Sequence, residues 1–404
     1  MQLLFVISIL AVLFITTSTA PFLHIKEVVT ASFTPMVIYI LITLVKKPSV
    51  LSNRCNKEAY KVIFLGIIIL LLKYSIGQDY FKSILQFIFI PMFVSIVFES
   101  LRQRQIKTLK YIIISFFILE CSLAIFEKII QVNIFNSYAE EDITFLLTQE
   151  AWEFRSTSFL GFPLANAMVV TTILSFLLLD KQNGILNKIF LTLLGYVSLF
   201  CFNARGATII ATIFILPYLL FLIGQLKNRK IKRILFGVII IVGFILSYYI
   251  LNSSLGGRLL NEESIVDGSA RSRMDVFGFY KYLTIEQLLW GAPDLYIHLM
   301  NKLQAGGVEN GVIVIIINYG LIFTMILLPL LICFHYKKLS VYNKFERVWI
   351  MFIFYTIGTM NPNLASPTQW IMWLLAYYTF RNKTFKKGSL SQKEFTNKFP
   401  RSVI

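Results

Sequence analysis

From its first residue to about position 380, the chain alternates long apolar runs with short polar segments. Runs such as Ile234 to Leu251 approach the length that crosses about 30 Å of hydrocarbon. A β-barrel would show short alternating strands, whereas "VIFLGIIILLL" does not alternate. In the absence of water the backbone must satisfy itself, so helices are the expected element. The pattern predicts an all-α, polytopic transmembrane bundle of about twelve helices. They are placed at roughly 2–20, 28–45, 62–76, 84–98, 111–126, 166–179, 189–202, 207–224, 234–251, 309–334, 348–360 and 368–380. Residues 1–380 then form one integral-membrane domain, and 381–404 form a basic tail.

Composition agrees. Hydrophobic residues make up 57% and charged residues 15%, with a mean hydropathy of +0.72, too little polar surface for a soluble protein of 404 residues. The net charge of +17 would suggest nucleic acid, but its distribution points elsewhere. With the N-terminus placed in the cytoplasm, the inner segments hold 27 Lys and Arg and the outer segments hold 10. Acidic residues run the other way, with 14 of 21 outside. This asymmetry is the positive-inside rule, so the basicity orients the chain with both termini cytoplasmic and gives no sign of a nucleic acid partner.

Ser18 and Ala20 have the spacing of a signal-peptide cleavage site, but no basic region precedes them, and the first helix is expected to be retained. None of the four cysteines lies in a large outer segment, so no disulfide framework is indicated. His24, His298 and His335 are scattered, and no metal site is expected. No Walker-type loop is present, so no ATP coupling and no cofactor is expected.

Two outer segments are long, 127–165 and 252–308, and long loops in a compact protein tend to be functional. The first ends in an Arg155-to-Asn166 stretch that bends at Gly161 and Pro163; Arg155 is either an interfacial anchor or part of a site. Arg205 sits in the short hairpin "CFNARGATII", where it and the free N–H groups of the next helix start would favour an anion or, alternatively, reach lipid headgroups. Arg258, Arg271 and Arg273 lie in the second long segment among acids that could make it a plain salt-bridged surface. Together these outward arginines suggest a lipid-linked diphosphate, because a guanidinium binds phosphate in bidentate fashion. Glu309 and Asn310 stand where the long segment enters an apolar helix; Glu309 is a dipole-compatible carboxylate or a general base. Within the spans, Lys73 and Glu120 fall at similar depth and are expected to pair or to line a polar cavity.

The order of these features, "R…GF.P..A", "ARGA", "WGAP" and "ENG…NYGLI", resembles the O-antigen polymerase and O-antigen ligase superfamily over about residues 150–335. These bacterial inner-membrane enzymes transfer glycans from undecaprenyl diphosphate. The resemblance implies that Arg155, Arg205 and Arg273 bind the diphosphate or the glycan, with Arg258 and Arg271 matching less clearly. Ligases carry a His-Asn pair where this chain has Glu309-Asn310, and that departure favours a polymerase of O-antigen, capsule or exopolysaccharide repeat units. Arg205, Arg273 and Glu309 are the catalytic candidates, with Asn310 on the substrate and His298 and Asp294 as further candidate bases. A chain-length regulator and a flippase are the protein partners this implies. A ligase with a shifted alignment to His298 and a lipid-linked sugar carrier remain the competing readings. Against the carrier, the chain shows no inverted repeat, and its distinctive charges lie in unequal outer segments.

Overall fold

A computed structural model describes residues 1–53, 56–75, 80–135, 154–252, 277–295 and 310–381. Among them the chain is helical throughout, with no strand. The long helices are α1 Gln2–Phe14, α2 Val28–Lys46, α3 Lys57–Ser75, α4 Phe81–Phe98, α5 Gln103–Ile130, α6 Pro163–Leu179, α7 Ile185–Cys201, α8 Arg205–Gly224 and α9 Arg229–Asn252. A short α10, Ile285–Trp290, precedes α11 Gly311–Tyr319, α12 Leu321–Lys338, α13 Lys344–Thr359 and α14 Pro367–Phe380. Among the described residues, five helices are long and apolar enough to cross a membrane: α2, α4, α5, α8, and α12 extended to Val341. The chain therefore has the character of an integral membrane protein.

Each apolar run of the sequence falls on a helix, and the boundaries differ for local reasons. α1 stops at Phe14 because the hydroxyls of Thr16 and Thr19 take over backbone partners: Thr19 Oγ1 accepts from Thr16 N at 3.0 Å and donates to the Phe14 carbonyl. The run expected to be continuous over 309–334 is cut at Gly320, whose φ of +89° ends α11 and starts α12 in a new direction. Pro91 and Pro217 lack an N–H and crowd the carbonyl four residues back, and each follows a π-helical turn, Leu85–Phe89 in α4 and Ala211–Ile215 in α8.

α6 and α14 form the centre. Every residue of α6 from Ala165 to Leu179 and of α14 from Gln369 to Phe380 is buried. A helix that is apolar on all sides belongs inside a bundle. α14 packs on α6, α5 and α4, and α13 and α7 close on α6. α1 packs on α2 and α5, while α3 lies against α12 and α4.

Polar contacts sort into two ends, as an alternating chain requires. At the lysine-rich end, Gln2 Nε2 donates to Thr108 Oγ1 at 3.1 Å, and Lys110 pairs with Asp180. Lys337 pairs with Glu58 at 2.6 Å. Glu99 binds Lys338 at 2.9 Å and Arg381 at 2.8 Å. At the opposite end, Lys82 meets Glu27 at 3.4 Å, and Lys128 Nζ donates to the Phe154 carbonyl at 2.9 Å. Met1 and Arg381 thus share the end that carries most of the lysine.

Candidate functional site

The stretch 154–163 is held from three sides. One carboxylate oxygen of Glu127, in α5, accepts the N–H of Thr157 at 3.0 Å and of Ser158 at 2.9 Å, and the other accepts Ile134 N–H at 3.0 Å. From the α7 side, the Cys201 carbonyl accepts Ser156 N–H at 3.1 Å, while Ser156 Oγ donates to the Ala124 carbonyl of α5 at 2.7 Å. From the end of α1, Thr16 Oγ1 donates to the Phe159 carbonyl. Gly161, at φ +79°, fits where any Cβ would meet Thr17 Oγ1 at 2.9 Å. Arg155 leads this buried stretch and stays half-buried, its Nε 3.5 Å from the Phe202 carbonyl. It is therefore fixed beside the α7–α8 hairpin, at Phe202, three residues before Arg205.

Arg205 opens α8 after Asn203, whose φ of +51° closes α7. Among the described residues no side chain caps the start of α8. Behind Arg205, a Cβ on Gly206 would sit 3.1 Å from Met360 Sδ. The next residue, Asn361, starts a turn over Pro362–Ala365 by accepting Asn363 N–H at 2.9 Å. That turn packs on α11: a Cβ on Gly311 would lie 2.6 Å from the Gly358 carbonyl and 2.9 Å from that of Asn361. Asn310 commits its side-chain oxygen to Val312 N at 3.0 Å and Ile313 N at 3.2 Å, capping α11. The turn 360–365 thus packs against the starts of α8 and α11, at Gly206 and Gly311.

Two glycine-bearing motifs, one in the second long segment and one in the apolar run after it, meet back to back. Gly291 (φ +87°, ψ 153°) and Gly320 (φ +89°, ψ 160°) occupy a region open only to glycine. A Cβ on Gly291 would lie 2.7 Å from Gly320 N, and one on Gly320 would lie 2.5 Å from the Trp290 carbonyl carbon. Ala292 N–H donates to the Ile317 carbonyl at 2.7 Å, and Lys73 Nζ donates to the Trp290 carbonyl. This places Asp294 on one wall of a cleft of ≈ 520 Å³, facing Tyr80, Ser83 and Gln86 of the α4 start and Asn318 and Tyr319 of the α11 end. Ala365 and Pro367, from the turn behind Arg205, complete it.

Lys73 and Glu120 do not pair. Lys73 is fully buried, with Nζ 4.5 Å from the Tyr80 ring centroid, whereas the Glu120 carboxylate accepts Phe159 N–H at 3.4 Å. Equal depth along two helices says nothing of direction, and α3 faces α12 and α4 while α5 faces α7, α14 and α1. Arg155, Arg205, Asn310 and Asp294 come to the same end. Arg258, Arg271, Arg273, His298 and Glu309, with much of both long segments and the tail 382–404, lie outside the described residues. Sequence reasoning passed over Tyr80, Ser83, Gln86 and Glu127; only their assembly across distant segments marks them. No family model, no curated protein and no solved structure matches this chain.

Proposed function

We propose that the protein is a membrane glycosyltransferase that polymerises undecaprenyl-diphosphate-linked oligosaccharide repeat units on the outer face of a bacterial cytoplasmic membrane. In this reading all twelve apolar runs cross the bilayer, α11 and α12 together making one crossing, with both termini cytoplasmic. The observation that carries it is that Arg155 and Arg205 both stand at the α7–α8 hairpin, at the end poorest in lysine. Two half-buried guanidiniums beside a helix start suit a diphosphate, which each can bind through paired N–H donors.

The chemistry follows from the charge that develops. The acceptor hydroxyl oxygen attacks the anomeric carbon of the lipid-linked sugar, and the bond from that carbon to the diphosphate oxygen breaks. The electron pair leaves on the diphosphate, where Arg155, Arg205 and, from the second long segment, Arg273 neutralise it. The hydroxyl proton passes to a carboxylate, and Glu309, adjacent to the Asn310 cap, is the first candidate, with Asp294 and His298 behind it. Attack from the face opposite the diphosphate inverts the anomeric configuration. Arg205→Ala in the host strain tests the reading against a carrier. Single repeat units should still reach the outer face and remain unpolymerised; loss of their translocation would instead identify a carrier.

A further inference from the structure

We infer that the cleft between the start of α4 and the end of α11 is a carbohydrate subsite, which binds hydroxyl groups of the acceptor glycan. Its walls come from four segments far apart in sequence, and beside Phe87, Ala365 and two prolines they carry hydroxyls, amides, one carboxylate and the Lys82 ammonium. Tyr80 is 5% exposed, and among the described residues its hydroxyl has no hydrogen-bond partner. A buried orphan hydroxyl costs about 1–3 kcal/mol, which a ligand hydroxyl would recover. Burial first, then the Asp294 carboxylate and Tyr319, push the Tyr80 phenol upward, so it stays a protonated donor. Beside it, Ser83 Oγ and Tyr319 Oη share a hydrogen bond of 2.9 Å and keep lone pairs free for a further donor.

Shape and charge narrow the ligand class. Phe87 and Tyr319 stack at 5.5 Å and 21°, giving the apolar wall that the C–H face of a sugar ring requires. A volume of ≈ 520 Å³ falls in the range of small-molecule sites, about 300–1,000 Å³. The Asp294 carboxylate disfavours an anion, and Lys82, the cation in the wall, pairs with Glu27 at 3.4 Å. An acyl chain would leave the polar wall unsatisfied. Ala365, at the end of the Pro362–Ala365 turn, lines the cleft, and Met360 just before that turn packs on Gly206 beside Arg205, so a glycan bound here extends toward the start of α8. Only the identification of the glycan as acceptor rests on the polymerase reading.

The test is photo-cross-linking of the full chain in membranes of its own host, with Gln86→p-benzoylphenylalanine. The same substitution of Phe221, in the groove at the lysine-rich end, is the control. A sugar-bearing adduct at position 86 and none at 221 is expected. No adduct at 86, an adduct carrying acyl chains alone, or equal sugar at both positions overturns the proposal. If the position-86 variant does not accumulate, Asn318→p-benzoylphenylalanine probes the same wall. In parallel, Tyr80→Phe should raise KM for the lipid-linked repeat unit about fivefold with kcat within twofold; an unchanged KM counts equally against it. Should the unaltered chain transfer nothing, the polymerase reading falls, while the cross-link still decides the cleft.

Discussion

Replacing Glu99 by glutamine removes one charge from a buried cluster of three. Glu99 Oε1 accepts from Lys338 at 2.9 Å and Tyr378 Oη at 3.0 Å, and Oε2 accepts from Arg381 at 2.8 Å. The Lys338 and Arg381 side chains are 5% and 2% exposed, so the substitution removes the carboxylate charge that both buried cations bind. Breaking such a cluster costs about 3–5 kcal/mol. The pH dependence gives a second measure of the same interaction. Burial alone would raise the Glu99 carboxyl, but the two cations outweigh it and hold it at about 2, below the ordinary 4.5. Its stabilisation is thus fully present above about 4.5 and is lost as the pH falls toward 2, in total roughly 3 kcal/mol. The assay is SDS-driven unfolding of the detergent-solubilised chain across that window. Glu99→Gln should unfold at lower SDS at neutral pH and lose most of the acid-dependent change. A variant within about 1 kcal/mol of the unaltered protein, or one with the same acid profile, would refute the cluster.

Other expectations follow from the opposite end. Gly320→Ala forces a side chain into backbone and a φ of +89°, at a strain of about 1–3 kcal/mol before any clash; it should abolish transfer while the protein still inserts, as read by activity and membrane fractionation. Glu127→Ala strands the N–H groups of Ser158 and Ile134, each worth about 1–3 kcal/mol, and leaves that of Thr157 with Asn133 Oδ1 at 3.2 Å, so the midpoint of unfolding should fall sharply, and Glu127→Gln should recover part of it. Arg205→Lys should not restore the polymer that Arg205→Ala loses, because an ammonium lacks the planar fork, as visible in the ladder of glycan chain lengths.

What could be read from the sequence depended on how local its cause was. Apolar runs place helices, since burial acts on each segment separately, and the positive-inside count agrees with loop contacts that sort into two ends. The arginine hairpin was legible because Arg205 is out of place on a lysine-poor face. The break at Gly320 was not, although the glycine was in view, because the need for positive φ arises only when Trp290 and Gly291 dock against it. The Lys73–Glu120 pairing failed for a related reason: depth is a property of one helix, whereas contact is a property of two. The cleft was hidden altogether, since Tyr80, Asp294, Asn318 and Ala365 share no spacing and meet only in the fold.

If arginines at the outer face drive glycosyl transfer from a lipid diphosphate, the purified chain should need no metal. The measurement is its incubation with undecaprenyl-diphosphate-linked repeat units from its host, with and without a chelator of divalent metals. Polymer formed equally in both, and absent with Arg205→Ala, is the predicted result. No polymer from the unaltered chain, or polymer formed only when a divalent metal is supplied, would contradict the account.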